Sequence, residues 1–159
     1  AKVIVLEYSD YQCPFCARIQ TTLTKLIKEY GSRVAFGYRH FPLPFHKEAD
    51  EAAIAVECAR DQGKFEVLHS LLFKNQKNQF IEDLIGYADE IGVKDVDQYE
   101  KCIIKEKYRS RVLDDMKAGQ EAGVTGTPGF FIGTFDSKSG RVRGELLSGA
   151  RPLQDFKQA

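Results

Sequence analysis

The chain has 159 residues, a length that suits one domain, and its 43% of hydrophobic residues can form a core without help from disulfides. Lys plus Arg equals Asp plus Glu at 23 each, so the net charge is zero and gives no support for nucleic-acid binding or for a basic membrane contact. No apolar run in the sequence approaches the roughly 20 residues that span a bilayer.

The first forty residues predict a β-α-β unit. The apolar run "VIVL" at 3–6 is typical of a buried strand. Apolar residues then recur at helical spacing from Phe15 to Tyr30, and Gly31 indicates the end of the helix. The alternating segment 33–41 predicts a second strand. The sequence CPFC therefore lies where the first strand meets the first helix.

A helical region follows, from about 47 to 122, and within it the segment 80–92 has the spacing of one helix that ends at Gly92. After this region, "GFFIG" at 129–133 predicts a strand, and turn residues within 135–142 predict a hairpin. Pro152 suits the first turn of a last helix. The predicted order is β-α-β, helices, β-β-α, which is an α/β fold in a single domain, 1–159, with an inserted helical subdomain.

The spacing of Cys13 and Cys16 suggests a redox pair. On a helix, Cys16 follows Cys13 by almost one turn, so the two sulfurs can approach bonding distance. Cys13 would lie at the helix N-terminus, where free N–H groups and the dipole favour a thiolate, and Pro14 fits the first turn. The alternatives are a structural disulfide or half of a zinc site. A zinc site normally needs four ligands, but Cys58 and Cys102 are isolated in the sequence and do not form a second closely spaced pair.

A second feature is "VTGTPGFF" at 124–131, which begins the late strand with Thr127 and Pro128. X–Pro bonds have the readiest access to the cis form. A cis bond would let Thr127 present its N–H and C=O groups to an extended peptide beside Cys13. An ordinary trans turn is the alternative, and the residues alone leave both open.

Together these features resemble the DsbA-like branch of the thioredoxin superfamily. The resemblance also covers the stretches "VLEYSDYQCPFC", "YRHFPLPFH", "EAAIAVECARDQGKFEVLHSLLF" and "GVTGTPGFFIG". It implies a thioredoxin fold with a helical insertion. It further implies that Cys13 is the nucleophile, that Cys16 is the resolving thiol and that Pro128 is cis.

The resemblance also implies a setting for the protein. It implies export to the periplasm or cell envelope, and a membrane-bound, quinone-linked reoxidant. We expect a monomer that acts on reduced or disulfide-bonded client proteins, without a metal, another cofactor or nucleic acid. The sequence begins at Ala1 rather than Met, so a signal or membrane anchor outside these residues could precede it.

Two residues are expected to tune the site. The best-known oxidase form of the family has His at the position of Phe15, and Phe can neither donate a hydrogen bond nor carry charge. We therefore expect a less stabilised thiolate and a less oxidising couple. Glu7 lies six residues before Cys13 in an otherwise apolar strand. Its family counterpart is an acid beneath the site, so Glu7 is a candidate base for the resolving thiol; the alternative is a strand-end residue that faces water.

Cys58 and Cys102 both fall in the helical region. They could be buried free thiols, a second redox pair or a structural disulfide that closes a loop of about 44 residues, and we expect the disulfide, which some exported relatives carry. The three histidines are scattered, and we expect surface or packing roles for His40, His46 and His69.

The leading functional hypothesis is oxidation of exported proteins by disulfide exchange through Cys13-Pro14-Phe15-Cys16. A reductase or isomerase on the same scaffold is the first alternative, because Phe15 keeps the direction of electron flow open. A non-catalytic peptide-binding module is the second alternative.

Overall fold

The computed structural model describes residues 3–159, which contain a four-stranded mixed sheet in the order β2-β1-β3-β4. β1 and β2 are parallel, whereas β1 with β3 and β3 with β4 are antiparallel. The strands are β1 Val3–Ser9, β2 Val34–His40, β3 Gly129–Asp136 and β4 Arg141–Ser148. The central strand β1 is therefore paired on both sides, and its carboxyl end leads directly to CPFC.

One face of the sheet is covered by the helices α1 (Pro14–Tyr30) and α8 (Leu153–Gln158). Their apolar side chains and those of the strands form one buried cluster, which contains Val5, Ile19, Leu23, Leu26, Phe130, Ile132 and Phe156. This packing holds the N-terminus of α1 at the end of β1. A short 3₁₀ helix, Gly31–Arg33, connects α1 to β2.

Between β2 and β3 lie the inserted helices: α2 Ala49–Arg60, α3 Phe65–Lys74, α4 Ile81–Gly86, α5 Ala88–Ile91, α6 Val96–Ile104 and α7 Arg109–Glu121. They form a second core around α2, whose many alanines let neighbouring helices approach on several sides. A disulfide between Cys58 and Cys102 joins α2 to α6. None of the helices in residues 3–159 has the length and apolar character needed to cross a membrane.

The predicted α/β fold with its order of β-α-β, helices, β-β-α is confirmed. Two local predictions were wrong. β1 extends to Ser9 because its last residues pair with both neighbouring strands. The segment 80–92 forms two short helices, α4 and α5, which divide at Tyr87, immediately after the weak helix former Gly86.

Candidate active site

The junction of β1 and α1 positions the two cysteines. Cys13 is the N-cap of α1, with Pro14 in the first turn and Cys16 one turn deeper. The Cys13 backbone N–H donates to the Asp10 carbonyl at 3.2 Å, and the Cys13 carbonyl accepts from Ala17 N–H at 3.2 Å. Both cysteines are free thiols, and they are 3% and 0% exposed.

The two thiols differ in acidity. The pKa of Cys13 is lowered from 9.0 to about 6, mainly by the hydrogen bond from the Cys16 thiol. Desolvation opposes this shift, whereas the Thr127 side chain and the backbone N–H groups of Cys16 and Phe15 add to it. Burial raises the pKa of Cys16, and its hydrogen bond to Cys13 raises it further. At neutral pH the pair therefore holds a thiolate at Cys13 and a thiol at Cys16, as attacking and resolving roles require.

The loop before β3 lies against Cys13. The peptide bond between Thr127 and Pro128 is cis. When protonated, Cys13 Sγ donates to the Thr127 carbonyl oxygen at 3.6 Å. Pro128 is buried, and its carbonyl accepts from Gly149 N–H at 2.8 Å, which ties the loop to the end of β4. Thus Thr127, 114 residues away in sequence, becomes a direct neighbour of the first cysteine.

Glu7 lies in the core and not at a solvent-facing strand end, since it is 4% exposed. Burial raises the pKa of its carboxyl to about 8, against a smaller lowering effect of Gln20. Gln20 Nε2 donates both to Glu7 Oε2 at 3.3 Å and to the Cys16 carbonyl at 3.0 Å. Gln20 therefore connects a carboxyl that is mostly protonated at neutral pH to the backbone of Cys16.

Phe15 lies on the solvent side of the site, with 52% of its surface exposed. The guanidinium carbon of Arg18 lies 5.0 Å from the centroid of its ring, within the range of a cation–π contact. Phe15 thus places an apolar, outward-facing group between the cysteines, and the nearby positive charge comes from the next turn of α1.

Sequence reasoning missed several residues that hold the site. The buried carboxylate of Asp10 accepts from Leu43 N–H at 2.8 Å and from His46 Nδ1 at 2.7 Å, so it anchors the segment after β2. Gln76 Nε2 donates to the Cys13 carbonyl at 2.8 Å from the segment after α3. Only Gln20 had a usable signal, because its i+4 spacing from Cys16 places both on one face of α1.

The remaining predicted cysteines lie in the helical insertion. Cys58 and Cys102 form the disulfide that was expected, with their Cα atoms 5.8 Å apart. Because both sulfurs are bonded, neither can serve as a thiolate ligand that would complete a metal site with the CPFC pair.

A CxxC sequence whose first cysteine begins a helix, beside a cis-proline loop, defines a site for thiol–disulfide exchange. The family model described as Thioredoxin matches residues 1–139, and the chain belongs to this family. Structural matches then show a DsbA-like member. DsbA2 of Pseudomonas aeruginosa is 26% identical, with a TM-score of 0.75 over 100% of this chain and 87% of that chain.

A second structural match is alpha-DsbA1 of Wolbachia pipientis, which is 22% identical with a TM-score of 0.82 over 99% of this chain and 83% of that one. In sequence, the Na(+)/H(+) antiporter NhaA 3 of Salinispora tropica is 35% identical over 133 residues, which is 83% of this chain and 20% of that protein. The chain thus spans about a fifth of the length of the curated relatives that it matches.

Proposed function

We propose that this chain oxidises the thiols of client proteins outside the cytoplasm by transferring a Cys13–Cys16 disulfide to them. The observation that carries the proposal is the difference between the two thiols, with a pKa of about 6 for Cys13 and a raised pKa for Cys16. A stabilised Cys13 thiolate favours the reduced form of the protein, so the disulfide form is the stronger oxidant.

The exchange takes place in two steps. A client thiolate attacks Sγ of Cys13, the Cys13–Cys16 bond breaks, and Cys16 leaves with the bonding electron pair and takes up a proton. A second client thiolate then attacks the client sulfur of the mixed disulfide and releases Cys13 as a thiolate. The client loses two electrons and gains a disulfide, while the protein gains the two electrons as a thiolate and a thiol.

Glu7 supports the first step as a proton donor to Cys16. Burial keeps its carboxyl mostly protonated at neutral pH, because its pKa is raised to about 8. Gln20 holds this carboxyl beside the first turn of α1 through its contacts to Glu7 and to the Cys16 carbonyl. In the reverse direction the Glu7 carboxylate accepts the Cys16 proton, so the same group serves as acid and as base.

The client binds as an extended segment along the cis-proline loop. The position of the Thr127 carbonyl beside Cys13 supports this arrangement, because a peptide that pairs with Thr127 would bring its own cysteine to the Cys13 sulfur. The proposed clients are reduced proteins of the periplasm or cell envelope. The proposed redox partner is a membrane-bound, quinone-linked reoxidant, and the proposed working form of the chain is a monomer.

The reduction potential of the Cys13–Cys16 couple tests the direction of the reaction. Equilibration with glutathione should give a potential clearly more oxidising than that of thioredoxin, which is about −270 mV. The oxidised chain should then form disulfides in a reduced two-cysteine client faster than the reduced chain breaks them. A potential near that of thioredoxin would instead favour a reductase.

Cysteine variants test the assigned roles. Cys16→Ala, first activated at Cys13 by a small disulfide reagent, should accumulate the mixed disulfide with a reduced single-cysteine client, because neither Cys16 nor a second client thiol is present to resolve it. Cys13→Ala should form none. A Cys58→Ala/Cys102→Ala double variant is the matched control and should retain client oxidation. Equal trapping by both single variants would refute the assignment of Cys13 as the cysteine that forms the mixed disulfide.

A further inference from the structure

A chain of side-chain hydrogen bonds connects α3 to the redox site. Tyr11 Oη lies 2.8 Å from His69 Nδ1, and His69 Nε2 lies 3.3 Å from Gln20 Oε1. Gln20 Nε2 in turn contacts Glu7 Oε2 at 3.3 Å and the Cys16 carbonyl at 3.0 Å. His69 therefore has no hydrogen bond to either cysteine in the described residues, but it contacts Gln20, which bridges the Cys16 backbone and the Glu7 carboxyl.

The direction of each hydrogen bond follows from the chemistry of the groups. The Cys16 carbonyl can only accept, so the Gln20 atom beside it is the NH₂ group and the other end of the Gln20 amide is the acceptor. His69 must then donate from Nε2, and in a neutral ring Nδ1 accepts from Tyr11 O–H. Along the path from Tyr11 through His69 and Gln20, each hydrogen bond thus donates toward Glu7.

We propose that His69 is a positioning residue for the redox site, holding Gln20 so that its NH₂ group contacts the Glu7 carboxyl and the Cys16 backbone. This inference rests on the proposed function of Glu7 as the proton donor to Cys16. A fixed NH₂ donor stabilises the ionised carboxylate of Glu7 relative to the protonated form. His69 therefore adjusts how readily Glu7 gives up and takes back a proton.

The surroundings of His69 suit this role. Burial lowers the pKa of His69 to about 4, so the ring is neutral at physiological pH and keeps the single tautomer that the chain requires. Gln20 is half-buried and lines a groove between α1 and α3 together with His69. Without the contact from His69, the amide of Gln20 would be free to turn into this groove, away from Glu7.

Other groups around the chain also affect proton equilibria and packing. The ionisable side chains that interact with Glu7 from neighbouring residues are Tyr11 and Tyr38, and those that act on His69 are His40 and Arg60. The aromatic rings packed against His69 are Tyr11, Tyr38, Phe65 and Phe73, with centroid distances of 4.8–5.5 Å. A phenylalanine at position 69 would retain this ring packing and remove only the hydrogen bonds.

The test follows the Glu7 carboxyl by ¹³C NMR as a function of pH, in the reduced 159-residue chain. His69→Phe should raise the pKa of Glu7 by about one unit, the tenfold change expected when a hydrogen bond to a carboxylate is lost. With His69→Gln, the pKa of Glu7 should lie closer to the native value, with at least half of the shift reversed, because the glutamine amide can donate to Gln20. His69→Asn, which is too short to reach Gln20, should not.

A double-variant comparison distinguishes positioning from a general structural effect. If His69 acts through Gln20, His69→Phe should have no further effect on the Glu7 titration in a Gln20→Leu background. Thr21→Ala, on the wall of the same groove, is the matched control and should leave the titration unchanged.

The proposal is wrong if His69→Phe leaves the Glu7 titration within about 0.2 of the native value, or if it shifts it equally with and without Gln20. Should His69→Phe not fold, the difference between His69→Asn and His69→Gln decides in its place, and equal titrations would overturn the proposal. The readout does not require client oxidation, so a chain that fails to oxidise clients refutes the proposed function alone.

Discussion

Removal of the Cys16 thiol should raise the pKa of Cys13. The hydrogen bond from Cys16 is the largest cause of the low Cys13 pKa, ahead of the Thr127 side chain and the backbone N–H groups. Cys16→Ala deletes this donor, and Cys16→Ser retains one of similar size. The pair of variants therefore isolates one hydrogen bond in the site.

The magnitude follows from the strength of hydrogen bonds to charged groups, which contribute about 1.5–3 kcal/mol. At about 1.4 kcal/mol per pKa unit, Cys16→Ala should raise the pKa of Cys13 from about 6 to about 7–8. Cys16→Ser should remain within about half a unit of the native value. At pH 7 the thiolate fraction of Cys13 should then fall from about nine-tenths to between about a half and a tenth in Cys16→Ala.

The assay is the ultraviolet absorbance of the thiolate as a function of pH, with the alkylation rate of Cys13 as a second measurement. Cys58 and Cys102 are bonded to each other and do not titrate, so Cys13 alone gives the signal in both variants. The titration midpoint is the decisive quantity, because the intrinsic nucleophilicity of a thiolate rises with its pKa. A midpoint in Cys16→Ala within about 0.3 of the native one would refute the assigned cause.

Three further predictions concern the redox couple, the buried carboxyl and the disulfide. Phe15→His places a hydrogen-bond donor beside the Cys13 thiolate and should make the couple more oxidising, by about 30 mV for each unit by which the Cys13 pKa falls; an unchanged or lower potential against glutathione would contradict this. Glu7→Gln should raise the free energy of unfolding of the reduced protein at pH 7 by up to about 3 kcal/mol. The reason is that folding raises the pKa of the Glu7 carboxyl from 4.5 to about 8, so the native protein becomes less stable as the pH increases between those two values. Urea unfolding should show this gain at pH 7 and almost none at pH 4.5, and an equal gain at both would disprove the assigned cause. Cys58→Ala/Cys102→Ala should lower the free energy of unfolding by about 4 kcal/mol, the chain-entropy value for a sequence separation of 44; a loss below about 1 kcal/mol in chemical denaturation would show that the loop is held by other contacts.

Local pattern was enough to predict most of the fold and the position of the first cysteine of CPFC. Helical spacing after β1, with Pro14 in the first turn, places Cys13 at the N-terminus of α1, and the structure has this arrangement. The same spacing could have identified Gln20. Pattern failed where a strand continued through polar residues, since Glu7 is stabilised in β1 by pairing on both sides and not by its own β propensity.

The rest of the site could not be predicted because its contacts join distant segments. Gln76 is 63 residues from Cys13, and His69 is 49 residues from Gln20. Each is a polar residue in or near a helix, where sequence alone favours exposure to water. Their roles arise from the packing of α3 against α1, and periodicity within one element carries no information about such a contact.

The two cysteines differ in most of their neighbours. Cys13 lies at the N-terminus of α1 with Thr127 and the outward-facing Phe15 as neighbours. We therefore expect substitutions there to change the pKa of Cys13 and the redox potential. Cys16 lies one turn deeper, where Gln20 connects its backbone to the Glu7 carboxyl. The hydrogen bond between the thiols joins these two sets of contacts, and the Thr127 side chain also acts on both cysteines. If the proposed function holds, substitutions of Phe15 should change mainly the redox potential, whereas substitutions of Glu7 or Gln20 should change mainly proton transfer to Cys16.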